Sequence, residues 1–257
     1  MPKTIAITRM VSDALALCEL TFIDRQPINV QRARREHRDY IAILESLGVE
    51  VVQLPELPGM PDSVFVEDPA VVIDEVAIIT PMGSDARRNE AASIAEALEK
   101  YRSLVYLDPP ATLEGGDVMM IGRTLYVGRS SRTNAEGARQ LARIVDRYGY
   151  RVVPVTMHGC LHLKTGCTYI GDKTIVINNN WIDTSAFGEY ELIEVHIDEP
   201  FGANTLTINE HVIVPSEMES TSKLITARGF DVVTVELSEL AKAEAGATCL
   251  SIVFDVA

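Results

Sequence analysis

One phrase recurs along this chain: a polar residue or pair, an apolar strand, a short turn and a second apolar strand. It reads EDPAVVIDEVAIIT from Glu67, EGGDVMMIGRTLYVG from Glu114, HLKTGCTYIGDKTIVIN from His162 and ANTLTINEHVIVP from Ala203. A fifth copy, CLSIVF from Cys249, is truncated, with three residues after it. The alternation of Val, Ile, Tyr and Thr predicts strands, and the IDE, GR, GD and NE tips predict hairpin turns. The leading polar positions Glu67, Glu114, His162, Asn204 and Cys249 are spaced by 47, 48, 42 and 45 residues. A period of that size marks repeated supersecondary units.

Helix-like segments separate the hairpins. NVQRARREHRDYIAILESLG opens on Asn29 as a cap, ends on Gly48, and puts Ala33, His37, Tyr40, Ile41, Leu44 and Leu47 on one face. SDARRNEAASIAEALEKY and TNAEGARQLARIVDRYG repeat the pattern, and a weaker example runs from Ser220 to Gly229. Short strands follow the helices, as in VEVVQLP, RVVPVTM and FDVVTVEL. About five such units of roughly 45 residues nearly exhaust the 257 residues. The expected fold is therefore α/β: a five-bladed α/β propeller of ββαβ units with pseudo-fivefold symmetry, forming a single domain over residues 1–257. Ring closure buries every helix face and hides most strand edges. A doubly wound sheet would leave the hairpins unexplained, and no GxGxxG follows a strand, so no dinucleotide cofactor is expected. In a ring, equivalent positions converge on the axis, which brings Glu67, Glu114, His162 and Cys249 together.

Charge narrows the partners. A net charge of −14 with no basic stripe argues against nucleic acid and against an anionic membrane surface. The first residues, MPKTIAITRM, lack the apolar run of a signal peptide, and no segment approaches the roughly 18 apolar residues of a membrane span. Four sparse cysteines with no CxxC pair fit free thiols in a reducing, cytoplasmic setting. Unpaired edges and apolar helix faces leave room for a homodimer.

A Cys, a His and several carboxylates at one place make a nucleophilic site, because the thiolate is the reactive form and the imidazole moves protons for it. Singly, each has an ordinary structural explanation: Cys249 as a small buried hydrophobe, His162 as a satisfied core histidine, Glu114 as the start of a turn. Their shared register is what favours function, since burying ionisable groups idly costs several kcal/mol each. Cys18, Cys160 and Cys167 fall outside the register and read as structural. A zinc site built from Cys249, His162 and two carboxylates matches no common structural set. Asp62, Glu67, Asp68 and Glu114 around one thiol would raise its pKa unless a cation sits among them. A planar guanidinium fits: it takes bidentate carboxylate contacts, and its central carbon is an electrophile. Arg87 and Arg132, each beside a repeat hairpin, suit a substrate that also carries a carboxylate, although solvated surface is the usual place for arginine.

PDSVFVEDP, LEGGDVMM, GRSSRTNAEGA, LHLKTG and TCLS, in this order and spacing, resemble the dimethylarginine dimethylaminohydrolase (dimethylargininase) family of the guanidine-modifying superfamily. The likeness runs from the first strand to Cys249. It implies a five-bladed propeller and hydrolysis of N-methylated arginine to citrulline and a methylamine, with no metal. By the same resemblance, Cys249 is the nucleophile, His162 the general acid and base, and Glu114 the carboxylate that orients His162 or holds the guanidinium. Glu67 and Asp68 are implied at the guanidinium end, and Asp62, Arg87 and Arg132 at the amino-acid end. Leu20 falls in a lid loop, and Ala243 falls where a backbone carbonyl meets substrate. KAEAGATC differs from the Asp-Gly step of known members, Ala243 replaces a larger aliphatic, and the lid TFIDRQPINVQ is longer and more charged. These departures keep open the alternative of the same machinery acting on arginine, citrulline or another guanidino or ureido acid; an idle binding protein for arginine-like ligands is a third reading.

Overall fold

Every full copy of the recurring phrase becomes an antiparallel hairpin, and each second strand gains a parallel partner after a crossover. In the computed structural model, which describes residues 3–256, this gives five three-stranded sheets. Ala70–Val72 (β3) pairs with Val76–Ile79 (β4), which runs parallel to Ser103–Tyr106 (β5). Val118–Ile121 (β6), Thr124–Gly128 (β7) and Arg151–Val155 (β8) repeat this, as do Cys167–Gly171 (β9), Thr174–Ile177 (β10) and Glu191–Glu194 (β11). The same holds for Leu206–Ile208 (β12), His211–Pro215 (β13) and Asp231–Val235 (β14). The truncated fifth copy finds its partner at the other end of the chain. Ile252–Val256 (β15) lies antiparallel to Lys3–Arg9 (β1), which is parallel to Glu50–Leu54 (β2). Residues from the first hairpin strand of all five sheets, including Val71, Met119, Tyr169, Leu206 and Val253, line one cavity of about 500 Å³.

The third hairpin turns one residue later than its sequence suggests. Asp172 and Lys173 form the tip with φ of 43° and 56°, the left-handed pair that a two-residue reverse turn between twisted strands requires, and a bulge at Thr174 absorbs the shift.

Four of the crossovers carry the expected helices: Val30–Ser46 (α1), Ala91–Leu98 (α2), Ala135–Asp146 (α3) and, where the weaker pattern ran from Ser220 to Gly229, the helix over Glu219–Ala227. After the one-turn helix Leu163–Gly166 (α4) come Glu219–Ala227 (α5) in the β13–β14 crossover and the short Ser238–Ala241 (α6). Asn29 caps α1 by accepting the Arg32 N–H, and Asn134 caps α3 by accepting that of Gly137. The β10–β11 crossover departs from the repeat, with only a 3-10 turn at Thr184–Phe187. Helix α1 buries Ala33, His37, Tyr40 and Leu44 as its period requires, but Glu36 is buried too. Its carboxylate accepts the N–H groups of Glu239 and Leu240 at 3.0 and 3.2 Å and so caps α6. Tyr40, fully buried, donates its hydroxyl hydrogen to the carbonyl of Ala247 at 3.0 Å and lies 2.7 Å from the Ser251 hydroxyl. Helix α1 thus pins the segment that carries Cys249.

Candidate active site

The segment from Asp62 to Ala70 is buried throughout although it is built of turns. Its carbonyls need donors, and Arg87 supplies them: Nη2 donates to the carbonyls of Asp62 and Phe65 at 3.3 and 3.1 Å. The same guanidinium gives Nη1 to Asp68 at 2.7 Å, and Nε and Nη2 to Glu90 at 3.2 and 2.9 Å. Arg87 is 5% exposed and borders the candidate cavity with each of its three nitrogens already bonded. Burial alone would depress its pKa, but Asp68 and Glu90 hold it well above its ordinary value. Glu90 shares the helical turn of Arg87, three residues on; the sequence reading passed over it, although that spacing signals an ion pair.

Glu114 is fully buried at the end of the chain leading into β6. One carboxylate oxygen accepts the Gly83 N–H at 3.0 Å, and the other lies 2.7 Å from Nε2 of His162. Nδ1 of His162 is 3.8 Å from Asp68, whose same oxygen accepts the Gly116 N–H at 3.2 Å. That approach requires glycine at 116: a Cβ there would sit 2.7 Å from the His162 ring and 2.8 Å from the Asp68 carboxylate. Burial alone would lower the pKa of His162, but Asp68, Glu114 and Asp117 push it up to about 9. Burial would raise that of Glu114, and its hydrogen bond to His162 instead holds it well below the usual range.

Asp117, also missed in the sequence although it closes the EGGD run, sets the height of His162. Its carboxylate accepts hydroxyl hydrogens from Ser130 and Thr133 at 2.5 and 2.6 Å and the Leu163 N–H at 3.0 Å. It therefore ties the loop bearing Arg132 to the residue after His162. Burial pushes its own pKa up to about 6.

Cys249 is half-buried, and its sulfur receives the Gly246 N–H at 3.4 Å and the Asn204 side-chain N–H at 3.7 Å. Asn204 is the fourth member of the repeat register, and its carbonyl oxygen also accepts the Thr248 N–H at 3.0 Å. Burial, then the negative charges of Glu67 and Asp68, raise the Cys249 thiol to about 12, while the two N–H contacts pull it down. Those charges favour the thiol over the thiolate while no cation sits among them.

Cys249, His162, Asp62, Asp68, Arg132 and Ala243 border a cavity of about 20 Å³, room for roughly one water molecule. Glu67 stands apart from the expected set. One of its carboxylate oxygens pairs with Lys164 at 2.5 Å and the other accepts from the Thr248 hydroxyl at 2.9 Å, so it faces the larger cavity on the other side. Leu20 packs its half-buried side chain on the core cluster that includes Ala243. Ligand atoms of Asp68, Glu114 and His162 lie within 4.8 Å of one another, close enough for a metal ion. Their oxygens are already engaged by Arg87, Gly83, Gly116 and His162. The four cysteines are free thiols, and among the described residues no helix is long and apolar enough to cross a membrane.

The sequence profile of the family described as N,N dimethylarginine dimethylhydrolase, eukaryotic, matches residues 19–252. The N(G),N(G)-dimethylarginine dimethylaminohydrolase of Pseudomonas aeruginosa is 36% identical over 225 residues, covering 87% of this chain and 89% of that one. A solved structure of the Pseudomonas aeruginosa protein, a cysteine-to-serine mutant complexed with citrulline, superposes with a TM-score of 0.93 at 33% identity, covering 99% of this chain and all of that one. A second, a histidine-to-glycine variant of a dimethylarginine dimethylaminohydrolase as an adduct with S-methyl-L-thiocitrulline, gives 0.93 at 34% identity and covers 99% of this chain and all of that one. Together with the five motifs and the cavity bordered by Cys249 and the Glu114-bonded His162, these likenesses establish that the chain belongs to the dimethylarginine dimethylaminohydrolase family.

Proposed function

We propose that this protein hydrolyses N-methylated arginine to citrulline and a methylamine through a covalent intermediate on Cys249. The observation that carries the reading is the buried His162–Glu114 pair, 2.7 Å apart, whose His162 borders the same acid-lined cavity as the sulfur. A substrate guanidinium beside Asp68 offsets the negative field around Cys249 and so favours the thiolate, the thiol proton passing to solvent because His162 is already an imidazolium. Thiolate attack on the guanidinium carbon forms the carbon–sulfur bond and a tetrahedral adduct. His162, held as imidazolium by its carboxylates, gives a proton to the departing methylamine as the carbon–nitrogen bond breaks, leaving an S-alkylthiouronium on Cys249. His162 then takes a proton from water as it attacks, and the carbon–sulfur bond breaks to release citrulline. Carboxylates serve here where an amide hydrolase needs oxyanion donors, because the reacting guanidinium and the thiouronium it becomes are both cations.

Asp62 and Arg132 serve the α-ammonium and α-carboxylate, the carbonyl of Ala243 meets the substrate's polar end, and Leu20 belongs to the lid. Arg87 acts by holding Asp68 and the Asp62–Ala70 segment in place. In this reading the five sheets are the blades of one α/β propeller forming a single catalytic domain, and the free thiols support a cytoplasmic setting. Incubation with asymmetric dimethylarginine should release citrulline and dimethylamine in equal amounts. Cys249→Ser should abolish both, and acid-quenched protein should carry the thiouronium mass on Cys249. Absence of citrulline above a blank would overturn the assignment.

A further inference from the structure

Asp62 and Arg132, the two groups placed at the amino-acid end, are already occupied by one residue of the loop above them. The Glu19 N–H points at both carboxylate oxygens of Asp62, at 3.3 and 3.2 Å. The Glu19 side-chain carboxylate lies 3.4 Å from Nη2 of Arg132. One residue thus offers an N–H to the acid and a carboxylate to the base. An α-amino acid offers the same two groups.

The surrounding loop holds Glu19 in this position. Glu244, itself at a left-handed φ of 59°, accepts the N–H groups of Thr21 and Phe22, each at 2.6 Å. Arg25 donates back to the carbonyls of Ala16 and Cys18 at 2.9 and 2.6 Å. Glu19 and Glu244 both border the small cavity, so the loop closes it with its own charge. Nη1 of Arg132 faces Glu114 at 3.6 Å. With Glu19 in place, Arg132 meets a carboxylate on both sides and has no unpaired charge for a ligand.

We propose that Glu19 is a specificity-determining residue that stands in for an amino-acid ligand, so that a substrate's α-carboxylate must displace it from Arg132. The proposal rests on the reading of the cavity as a site for an α-amino acid with a guanidino or ureido tail. Glu19 is 40% exposed at its side chain, so its hold on Arg132 is that of a partly solvated ion pair, about three- to fivefold in affinity. A ligand without the carboxylate leaves that pair intact and is spared the competition.

The test is calorimetric binding in a Cys249→Ser background, with and without Glu19→Gln, using citrulline and the ureidobutylamine left when citrulline loses its carboxyl group. Glu19→Gln should tighten citrulline about three- to fivefold and leave the amine unchanged or weaker. Glu244→Gln, which loosens the loop without touching Arg132, should move both ligands together. Unchanged citrulline affinity in Glu19→Gln, or an equal shift for both ligands, would overturn the proposal while hydrolysis of dimethylarginine by the Cys249 protein still upheld the activity. The selective shift without any hydrolysis would uphold the subsite and overturn the activity. Failure of citrulline to bind either form, with no hydrolysis, would overturn both.

Discussion

The buried cluster of Asp68, Arg87, Glu90, Glu114 and His162 and the loop from Leu15 to Asn29 are built from the same interactions, carboxylates set against guanidinium groups and backbone N–H groups. Their surroundings differ. Each cluster member is at most 5% exposed, whereas the loop leaves Leu17 76% and Phe22 45% exposed, and its bonds to Glu244 and from Arg25 to Ala16 are exposed. In the cluster, removing one partner strands a desolvated charge, a loss of several kcal/mol; in the loop, water replaces the missing partner and the loss is about 1 kcal/mol or less. One set of contacts therefore fixes the reacting groups, and the other holds a cover that has to move, since a cavity of about 20 Å³ cannot admit an amino acid.

The largest effect should come from breaking the cluster at its centre. Glu114→Gln leaves His162 without its charged partner and should cost about 3–5 kcal/mol of folding free energy, read by urea unfolding. The pH dependence follows from the two shifts. Glu114 is depressed from 4.5, so its contribution is present above pH 4.5 and is lost as pH falls through its folded value, about 2. His162 is raised from 6.5, so its contribution is present below pH 6.5 and is lost as pH rises through about 9. The gap between wild type and variant should be widest between about pH 4.5 and 6.5 and shrink as pH rises from 6.5 to about 9. A gap constant from pH 6 to 10 would show that His162 is not held charged by this pair.

A smaller loss is expected where the cluster meets the first helix. Tyr40→Phe removes the donor to the Ala247 carbonyl and a partner of Ser251 on either side of the nucleophile. An unsatisfied buried carbonyl costs about 1–3 kcal/mol. Because the segment also sets the sulfur, kcat should fall more than KM rises. Lost stability with unchanged kcat would make Tyr40 a packing residue only.

The sequence was most readable where the cluster is concerned, for a physical reason. Hairpins announce themselves by alternation and turn residues, and the repeat register put Glu114, His162, Asn204 and Cys249 in equivalent places, so local patterns carried long-range information. Pairings between distant segments with no shared register stayed hidden. β15 finds β1 at the opposite end of the chain, and the Glu67–Lys164 pair joins two motifs whose letters say nothing of each other. Glu36 sits on the buried face of α1, where a carboxylate looks misplaced until α6 arrives to be capped. The β10–β11 crossover has a 3-10 turn where the repeat called for a helix, because NNNWIDTSAFGEY is dominated by Asn, Asp, Thr, Ser and Gly, which favour turns over helix. Glu19 and Glu244 were unreadable because the loop has no period at all, and its order comes from charges meeting N–H groups across the fold.

The smallest effect belongs to the loop. Glu244→Gln keeps one acceptor oxygen but loses the charge and turns an amide NH₂ toward an N–H that needs an acceptor. Opening of the loop should become about fivefold more frequent, equivalent to ~1 kcal/mol, and hydrogen exchange at the Thr21 and Phe22 amides should speed by that factor. Exchange in the central strands β4, β7, β10 and β13 should not change, because the loop opens without them and the cluster keeps every contact it has. If the strand amides accelerated in step with Thr21 and Phe22, loop and cluster would be one cooperative unit. A changed exchange rate at the loop alone would establish that the cover moves over a site that stays assembled beneath it.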